Sequence, residues 1–503
     1  MKPAPMQEGE LGRRAARALW WSYGGAALRA LATLLVQLLL ARLLGPEAFG
    51  QAAAAFIVLA LGWMLAEGGF GAALIQKPVL SEADVSHALG WVLLLSGTAG
   101  LGVMLSAPWL ARWLGSGALA PLLVAAGALI PVQALSNIPV SLMRRDLDAK
   151  RAQLIYLGGY VFAYALVGLP LAWWGAGAWT LVIAFGLHSL VNMVGSYAVV
   201  RHTLRPRLAG DPALRRFGLQ VVGTSVANWA LENLDRVLVN RLWGAAALGQ
   251  YSAAFTLSRS PAAFLVGSLQ NVAFAAASRV QDDLQRLGRS YLATVNLLAL
   301  LSWPAFALMA CHADTLVHLL YGTRWQGTEP LFAAFCAGLP FFVLMAVSGP
   351  LLWALDAVRQ DLTVQLAGGL LLFAGFLCFR AYPLKHVVWL VPVVYLLRAL
   401  WFQRLLGRRL QLQTGAMMQA LRGGLLLVLM AAVLSLGLRS WMTALPAMGA
   451  SAALSLVLAL AMLRQWPALL LGPALMEAMQ AGAPASAASR RLCAFIGLES
   501  RES

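Results

Sequence analysis

Blocks of 18 or more predominantly apolar residues recur from one end of the sequence to the other. Coiled at about 1.5 Å per residue, a run of that length spans the ~30 Å hydrocarbon layer of a bilayer. Backbone polar groups in lipid must find partners within the protein, and for apolar runs this long the solution is the α-helix. Composition agrees: 60% of the 503 residues are hydrophobic and 11% charged, against about 45–50% and ~25% in soluble domains. A soluble enzyme is excluded, and the expected class is an all-α polytopic membrane protein.

Apolar blocks bounded by charged or turn-forming residues place about fourteen spans. They lie near 18–41, 49–75, 87–111, 118–141, 153–174, 177–200, 217–242, 247–273, 291–321, 328–353, 362–380, 383–403, 418–437 and 443–463. The first follows Arg13, Arg14 and Arg17 but is too long for a cleaved signal peptide, so it reads as a retained signal anchor. The net charge of +17 has a topological explanation and needs no nucleic acid. With the N-terminus cytoplasmic, 25 of the 37 Lys and Arg fall in cytoplasmic segments and seven on the opposite side. The other five, Arg29, Arg236, Arg259, Arg398 and Arg422, lie within spans or at their ends. Both termini are therefore expected inside.

The division that follows is a six-helix bundle over 1–200, a basic cytoplasmic linker over 201–216, a second six-helix bundle over 217–410, two further transmembrane helices over 411–464, and a cytoplasmic tail over 465–503. The linker should lie against anionic headgroups, and the Ala- and Ser-rich tail should be mobile or membrane-apposed. Cys311, Cys336, Cys378 and Cys493 show neither metal-ligand nor disulfide spacing and read as small apolar residues. The tryptophans gather near span ends, as in an interfacial belt.

An internal repeat fixes the architecture further. LARLLGPEAFGQAAAAF at 40–56 aligns without a gap to VNRLWGAAALGQYSAAF at 239–255, with nine identities at an offset of 199 residues. Arg42/Arg241, Gly45/Gly244, Gly50/Gly249 and Gln51/Gln250 are among them. Six spans separate the copies, and an even number means that the halves share one orientation, as in parallel-repeat transporters. The offset also maps Arg29, Thr33 and Gln37 onto Asn228, Glu232 and Arg236, so both leading helices carry a polar stripe at i, i+4, i+8 in the same place.

These residues resemble a known family. LLGPEAFGQAAAAF at 43–56 and GGFGAALIQK at 68–77 are similar to the first helix hairpin of Wzx-type polysaccharide flippases, in the multidrug/oligosaccharidyl-lipid/polysaccharide exporter superfamily. NLDRVLVNRLWGAAALGQYSAAF at 233–255, SRSPAAF at 258–264 and SRVQDD at 278–283 resemble its seventh and eighth helices and the loop after them. The resemblance implies two six-helix bundles around a central cavity, plus two C-terminal helices, in a bacterial inner membrane. It implies transport of undecaprenyl-pyrophosphate-linked oligosaccharide units to the outer leaflet for exopolysaccharide, capsule or O-antigen synthesis, beside polymerase and export proteins. In such a fold the leading helices border the cavity, so Arg29, Thr33, Gln37, Asn228, Glu232, Asp235, Arg236 and Arg259 are the candidate cavity residues.

A charge at mid-membrane costs about 2.5–3.5 kcal/mol on insertion scales and so faces water or a partner. Arg29 suits pyrophosphate or an acidic sugar, because guanidinium presents a planar fork of donors; the alternative is a structural pair with Glu67. Glu232 and Arg236 are spaced to neutralise each other. Asp235 either complements Arg259 or titrates in proton or sodium coupling, and Glu67 either belongs to a packed hairpin or is a second coupling carboxylate. Arg259 stands two residues before Pro261, where a proline frees a carbonyl and permits bending. Arg398 and Arg422, read as nearer to span ends, are expected to snorkel.

None of the four lysines completes an ATP-binding phosphate loop, and no HExxH, EF-hand or nucleophile-elbow pattern occurs. No cofactor is expected. Two rival readings remain: a cation-coupled drug antiporter of the same superfamily, and a membrane glycan polymerase or ligase. The second lacks the sizeable external loop that such an active site needs, since each expected external connection has about ten residues or fewer.

Overall fold

A computed structural model of the chain describes residues 8–67, 69–210, 212–279 and 283–482. The described residues are helical, with no strand among them. Eleven helices there are long and apolar enough to cross a membrane. The first, Leu31–Ala66, is bent into two arms at Gly45, and Pro212–Arg279, outside those eleven, is bent into two at Gly244. The long helical arms thus number the fourteen that hydropathy predicts. Large apolar side chains such as Leu105 and Val433 stand exposed on the outer surface, as lipid-facing residues do.

The chain forms two compact units, Met1–Ser252 and Ala253–Ser503. In the first, Ala120–Arg145 is the hub, packed against Glu8–Glu67, Glu82–Trp113 and Trp179–Val199. The first copy of the repeat and the second as far as Ser252 lie in this unit, and both bend at the same residue. Gly45 (φ 75°, ψ 173°) and Gly244 (φ 86°, ψ 177°) adopt a conformation essentially reserved for glycine, and Pro46 then opens the next arm without needing an amide partner. Five residues on, the two copies touch. A Cβ at Gly50 would stand 1.7 Å from the Ala245 carbonyl oxygen, and one at Gly249 would stand 1.9 Å from that of Pro46. Equivalent residues meeting each other's segment is what a two-fold relation between the copies produces. Tyr251 donates to Asp235 across the Gly244 bend (2.7 Å), Asn240 to the Leu114 carbonyl (2.9 Å) and Trp229 to that of Ile57 (3.1 Å).

The glycine-rich segment after the first bent helix ends in Phe70–Gln76, whose C-terminal carbonyls are gathered by one side chain. Arg145 donates to Leu74 (2.8 Å), Ile75 (3.0 Å), Lys77 (2.6 Å) and Pro78 (3.0 Å). Beside it, Ser81 and Asp84 form a reciprocal capping box that starts Glu82–Trp113, and Lys77 pairs with Asp84 at 2.7 Å. The linker after Val199 is laid on this same helix: the Arg207 amide donates to the Ser86 carbonyl (3.0 Å) and Trp91 Nε1 to that of Leu208 (3.2 Å). Its arginines 201, 205 and 207 remain exposed.

In the second unit Leu284–Cys311 is central, packed against Glu329–Ala354, Thr414–Arg439 and Pro473–Gly482. Trp303, Phe306 and Phe402 fill its core. The expected span 291–321 ends at Cys311; a turn at His312 separates it from the short helix Ala313–Tyr321. Burial, then the charge of Arg439, holds His312 below the ordinary histidine range against the opposing pull of Asp314. Its Nε2 meets Ser451 Oγ at 2.8 Å and so fastens the last long helix, Ala444–Gln465. The expected span 383–403 instead runs over Leu384–Arg409, because arginine is a good helix former and Arg404, Arg408 and Arg409 do not stop it. Arg398 lies in the middle of that helix.

The tail is not loose from its beginning. Pro473–Gly482 docks on Leu284–Cys311 through Leu471 and Leu475 against Ala293. Buried Asn296 donates to the carbonyls of Ala420 (2.6 Å) and Leu470 (3.2 Å) and accepts from the Gly472 amide (3.0 Å). Over 467–482 the tail is therefore tied to the helices, by an amide 174 and 176 residues upstream of its partners Leu470 and Gly472; residues 483–503 lie outside the described residues. Asn296→Leu should destabilise the protein by about 1–3 kcal/mol for each backbone group left without a partner. The check is a lower unfolding temperature in detergent together with new proteolytic cleavage over 467–482.

Candidate functional site

In the first unit the candidate residues of the leading helix stand against an aromatic cluster. Tyr156, Tyr160 and Tyr164 are spaced i, i+4, i+8, and the helix carrying them passes into a π-helical turn over Val161–Gly168, a distortion frequent at functional sites. The Arg29 guanidinium lies over the Tyr156 ring at 4.9 Å. The Tyr160 hydroxyl donates to the Thr33 carbonyl at 3.4 Å, and Tyr160 stacks on Tyr164 at 4.6 Å. His188 meets all three rings edge-on, at 4.7, 5.8 and 6.0 Å. Asn192 closes the cluster with contacts to His188 Nε2 (2.8 Å) and its carbonyl (3.0 Å), while Ser189 donates to Gln133 (2.7 Å). A cation on an aromatic face is stabilised by about 0.5–2 kcal/mol, and a stacked guanidinium still directs its N–H fork along its own plane. Gln37 is half-buried two turns further on.

On the second leading helix the candidates differ in exposure. Glu232 is exposed and Arg236 half-buried, with its guanidinium at 3.5 Å from the Asn233 side-chain oxygen. Half-buried Asp235 accepts from the Tyr251 hydroxyl and from the Arg236 amide at 2.8 Å. The side chains of Asn228 and Glu67 lie outside the described residues.

Arg259, in the second unit, is sandwiched between Phe255 at 5.0 Å and Phe342 at 4.4 Å, and Pro261 two residues on is exposed. Two arginines, one in each unit, are thus carried on aromatic rings. Among the described residues no three His, Cys, Asp or Glu side chains converge as metal ligands would. The aromatic partners escaped the sequence reading although the tyrosine ladder is visible there at helical spacing; nothing in the sequence pairs a ring with a particular arginine. Arg145 is one of the basic residues that count toward topology in the sequence, and its four carbonyl contacts show a second role.

This is the architecture of a multi-span, all-helical membrane protein. Across 88% of this chain and 97% of the other, the structure superposes on a lipid II flippase, MurJ, in an inward closed conformation (TM-score 0.70, 12% identity). A MATE transporter in complex with MaD3S gives a TM-score of 0.51 at 15% identity, over 80% and 97% of the two chains. A profile described as polysaccharide biosynthesis protein matches residues 39–330, and the chain belongs to that family. It is 27% identical over 298 residues, 58% of its length, to the succinoglycan biosynthesis transport protein ExoT of Rhizobium meliloti. It is 24% identical over 329 residues, 62% of its length, to the lipopolysaccharide biosynthesis protein WzxC of Escherichia coli. These alignments span 60% and 65% of the two relatives. The teichuronic acid biosynthesis protein TuaB of Bacillus subtilis matches at 23% over 378 residues, 73% of this chain and 77% of its own.

Proposed function

We propose that this protein translocates polyprenyl-pyrophosphate-linked oligosaccharide units across a bacterial cytoplasmic membrane, from the inner to the outer leaflet, as a transporter and not an enzyme. The observation that carries the reading is an arginine held on an aromatic face in each unit, Arg29 on Tyr156 and Arg259 on Phe255 and Phe342. A guanidinium kept in apolar surroundings by a ring is suited to phosphate or carboxylate oxygens. A cationic drug would call for the opposite charge at those positions. Family membership and relatives named for succinoglycan, lipopolysaccharide and teichuronic acid biosynthesis support a glycan cargo. Both termini are cytoplasmic in this reading, and residues 1–200 and 217–410 move as two bundles joined by the 201–216 linker. Thr33, Gln37, Asn228, Glu232 and Arg236 line the path with the arginines. Asp235, held by Tyr251, and Glu67 are the carboxylates through which protons or sodium would drive it, and the polymerase and export proteins would act on the delivered unit.

The test is deletion of the gene in its host, followed by extraction and mass spectrometry of lipid-linked intermediates. Complete polyprenyl-pyrophosphate-linked units should accumulate, and wild type should clear them. Arg29→Ala should fail to clear them and Arg29→Lys should clear them only in part, since lysine is a point charge without the fork. Absence of any accumulation in the deletion strain overturns the reading.

A further inference from the structure

His188 is a buried titratable side chain that the transport reading leaves unused. It stands near the middle of Trp179–Val199, a helix long and apolar enough to cross a membrane. Among the described residues, the elements packed against that helix turn rings and neutral polar groups toward it, and no carboxylate. Tyr156, Tyr160 and Tyr164 come from the helix that passes into the π-helical turn, and Gln133 of Ala120–Arg145 reaches the adjacent Ser189. Leu169–Trp173 has no titratable side chain. The leading helix contributes Arg29 and Thr33 by way of the tyrosines. On the histidine's own helix the other titratable group, Tyr197, meets His202 instead, at 5.2 Å. The charged member of this cluster is therefore Arg29.

The hydrogen bonds fix where the ring can take a proton. Asn192 Nδ2 lies 2.8 Å from His188 Nε2 and 3.0 Å from the His188 carbonyl. A carbonyl only accepts, so the donating end of the amide faces both atoms, and Nε2 accepts from it with its lone pair. Nε2 is thus the nitrogen without a proton. A proton arriving there would set two donors against each other and unfasten Asn192. The imidazolium so formed would lie among three aromatic rings, surroundings that accommodate a cation. One of those rings is already in use. The Tyr156 ring centre has the His188 ring at 4.7 Å and the Arg29 guanidinium at 4.9 Å, which puts the two positive charges within about 10 Å of each other in a low-dielectric interior.

We infer that His188 is a proton-binding residue linked to Arg29 through the Tyr156 ring, so that a proton on His188 frees Arg29 for the anionic group of the cargo. Repulsion between the two cations loosens the guanidinium from the ring, and the added positive charge draws an anion toward it. Both effects favour capture by the protonated form. Linkage is reciprocal, so an anion held by Arg29 favours the proton on His188 to the same extent. A proton is taken up as cargo is captured and given up as cargo leaves. The inference rests on the proposed transport for the nature of the cargo. His188 itself touches no cargo; it acts by positioning Arg29.

The experiment is calorimetric binding of undecaprenyl diphosphate to the full-length protein in lipid nanodiscs at pH 8 and pH 6, in buffers of different ionisation heat so that proton uptake is counted. The probe changes its own charge over that range, and His188→Gln, which keeps a polar group without a basic nitrogen, supplies the correction. Between pH 8 and pH 6 wild type should gain at least about threefold more affinity than His188→Gln and should take up more protons per probe bound. Tyr156→Leu should remove that excess, and Tyr156→Phe, which keeps the ring, should retain it. Selective 15N labelling of histidine in wild type gives a second readout that depends on no variant's fold: at constant pH the probe should shift the His188 ring signals toward those of imidazolium. A merely structural His188 would lower the unfolding temperature of His188→Gln and leave the pH dependence unchanged. That result, an excess that survives Tyr156→Leu, or His188 signals unmoved by bound probe overturns the inference alone. Wild type that binds the probe at neither pH contradicts the transport reading and the inference with it.

Discussion

Adding a single methyl at Gly50 is expected to destabilise the protein by about 1–3 kcal/mol and to abolish complementation of a deletion strain. The reason is geometric. The new Cβ would stand 1.7 Å from the Ala245 carbonyl oxygen, which is backbone and cannot turn aside as a side chain does. Gly249→Ala meets the Pro46 carbonyl in the same way at 1.9 Å. Because both substitutions push apart the same pair of segments, Gly50→Ala with Gly249→Ala should cost less than the sum of the two. Thermal unfolding in detergent measures all three. Gly97→Ala, at a helical glycine with nothing within 4 Å of the added atom, serves as the control and should leave the unfolding temperature unchanged or slightly raised.

Arg145→Ala should cost about 2–3 kcal/mol, the loss expected when hydrogen bonds to a charged donor are removed from a half-buried helix end. Four carbonyls over Leu74–Pro78 lose their common partner. Arg145→Lys discriminates the cause. It keeps the positive charge that topology needs, yet a lysine ammonium cannot reproduce the planar fork. Lysine should therefore restore membrane orientation, read by cysteine accessibility, but not the unfolding temperature. Full thermal recovery by lysine would show that charge alone matters at this position.

Much of the architecture is legible in the sequence because its causes are local. Apolar block length gives the helices, and the repeat at an offset of 199 marks Gly45 and Gly244 as equivalent before their shared backbone geometry is seen. What the sequence does not disclose depends on partners far along the chain. The helix expected over 383–403 reads as ending before its arginines until it is seen to continue through Arg404 and Arg408 to Arg409. The start of the tail reads as loose because the group that ties it down, Asn296, is 176 residues away from Gly472. Arg29 is visible as a deep charge, but the ring beneath it belongs to Tyr156 on another helix, and no periodicity links the two. Hydropathy measures how apolar a segment is, whereas these contacts depend on which faces meet.

Direct reconstitution tests the central claim. Purified protein in proteoliposomes, supplied with a fluorescent polyprenyl-pyrophosphate oligosaccharide incorporated in both leaflets, would be exposed to a membrane-impermeant quencher of the fluorophore. Transport predicts that wild type carries the inner-leaflet lipid outward, so that fluorescence falls below the half protected in empty vesicles, and that Arg29→Ala slows this loss at equal protein content. Fluorescence that stays at the empty-vesicle level with folded wild-type protein, under an imposed proton or sodium gradient of either direction, would contradict it.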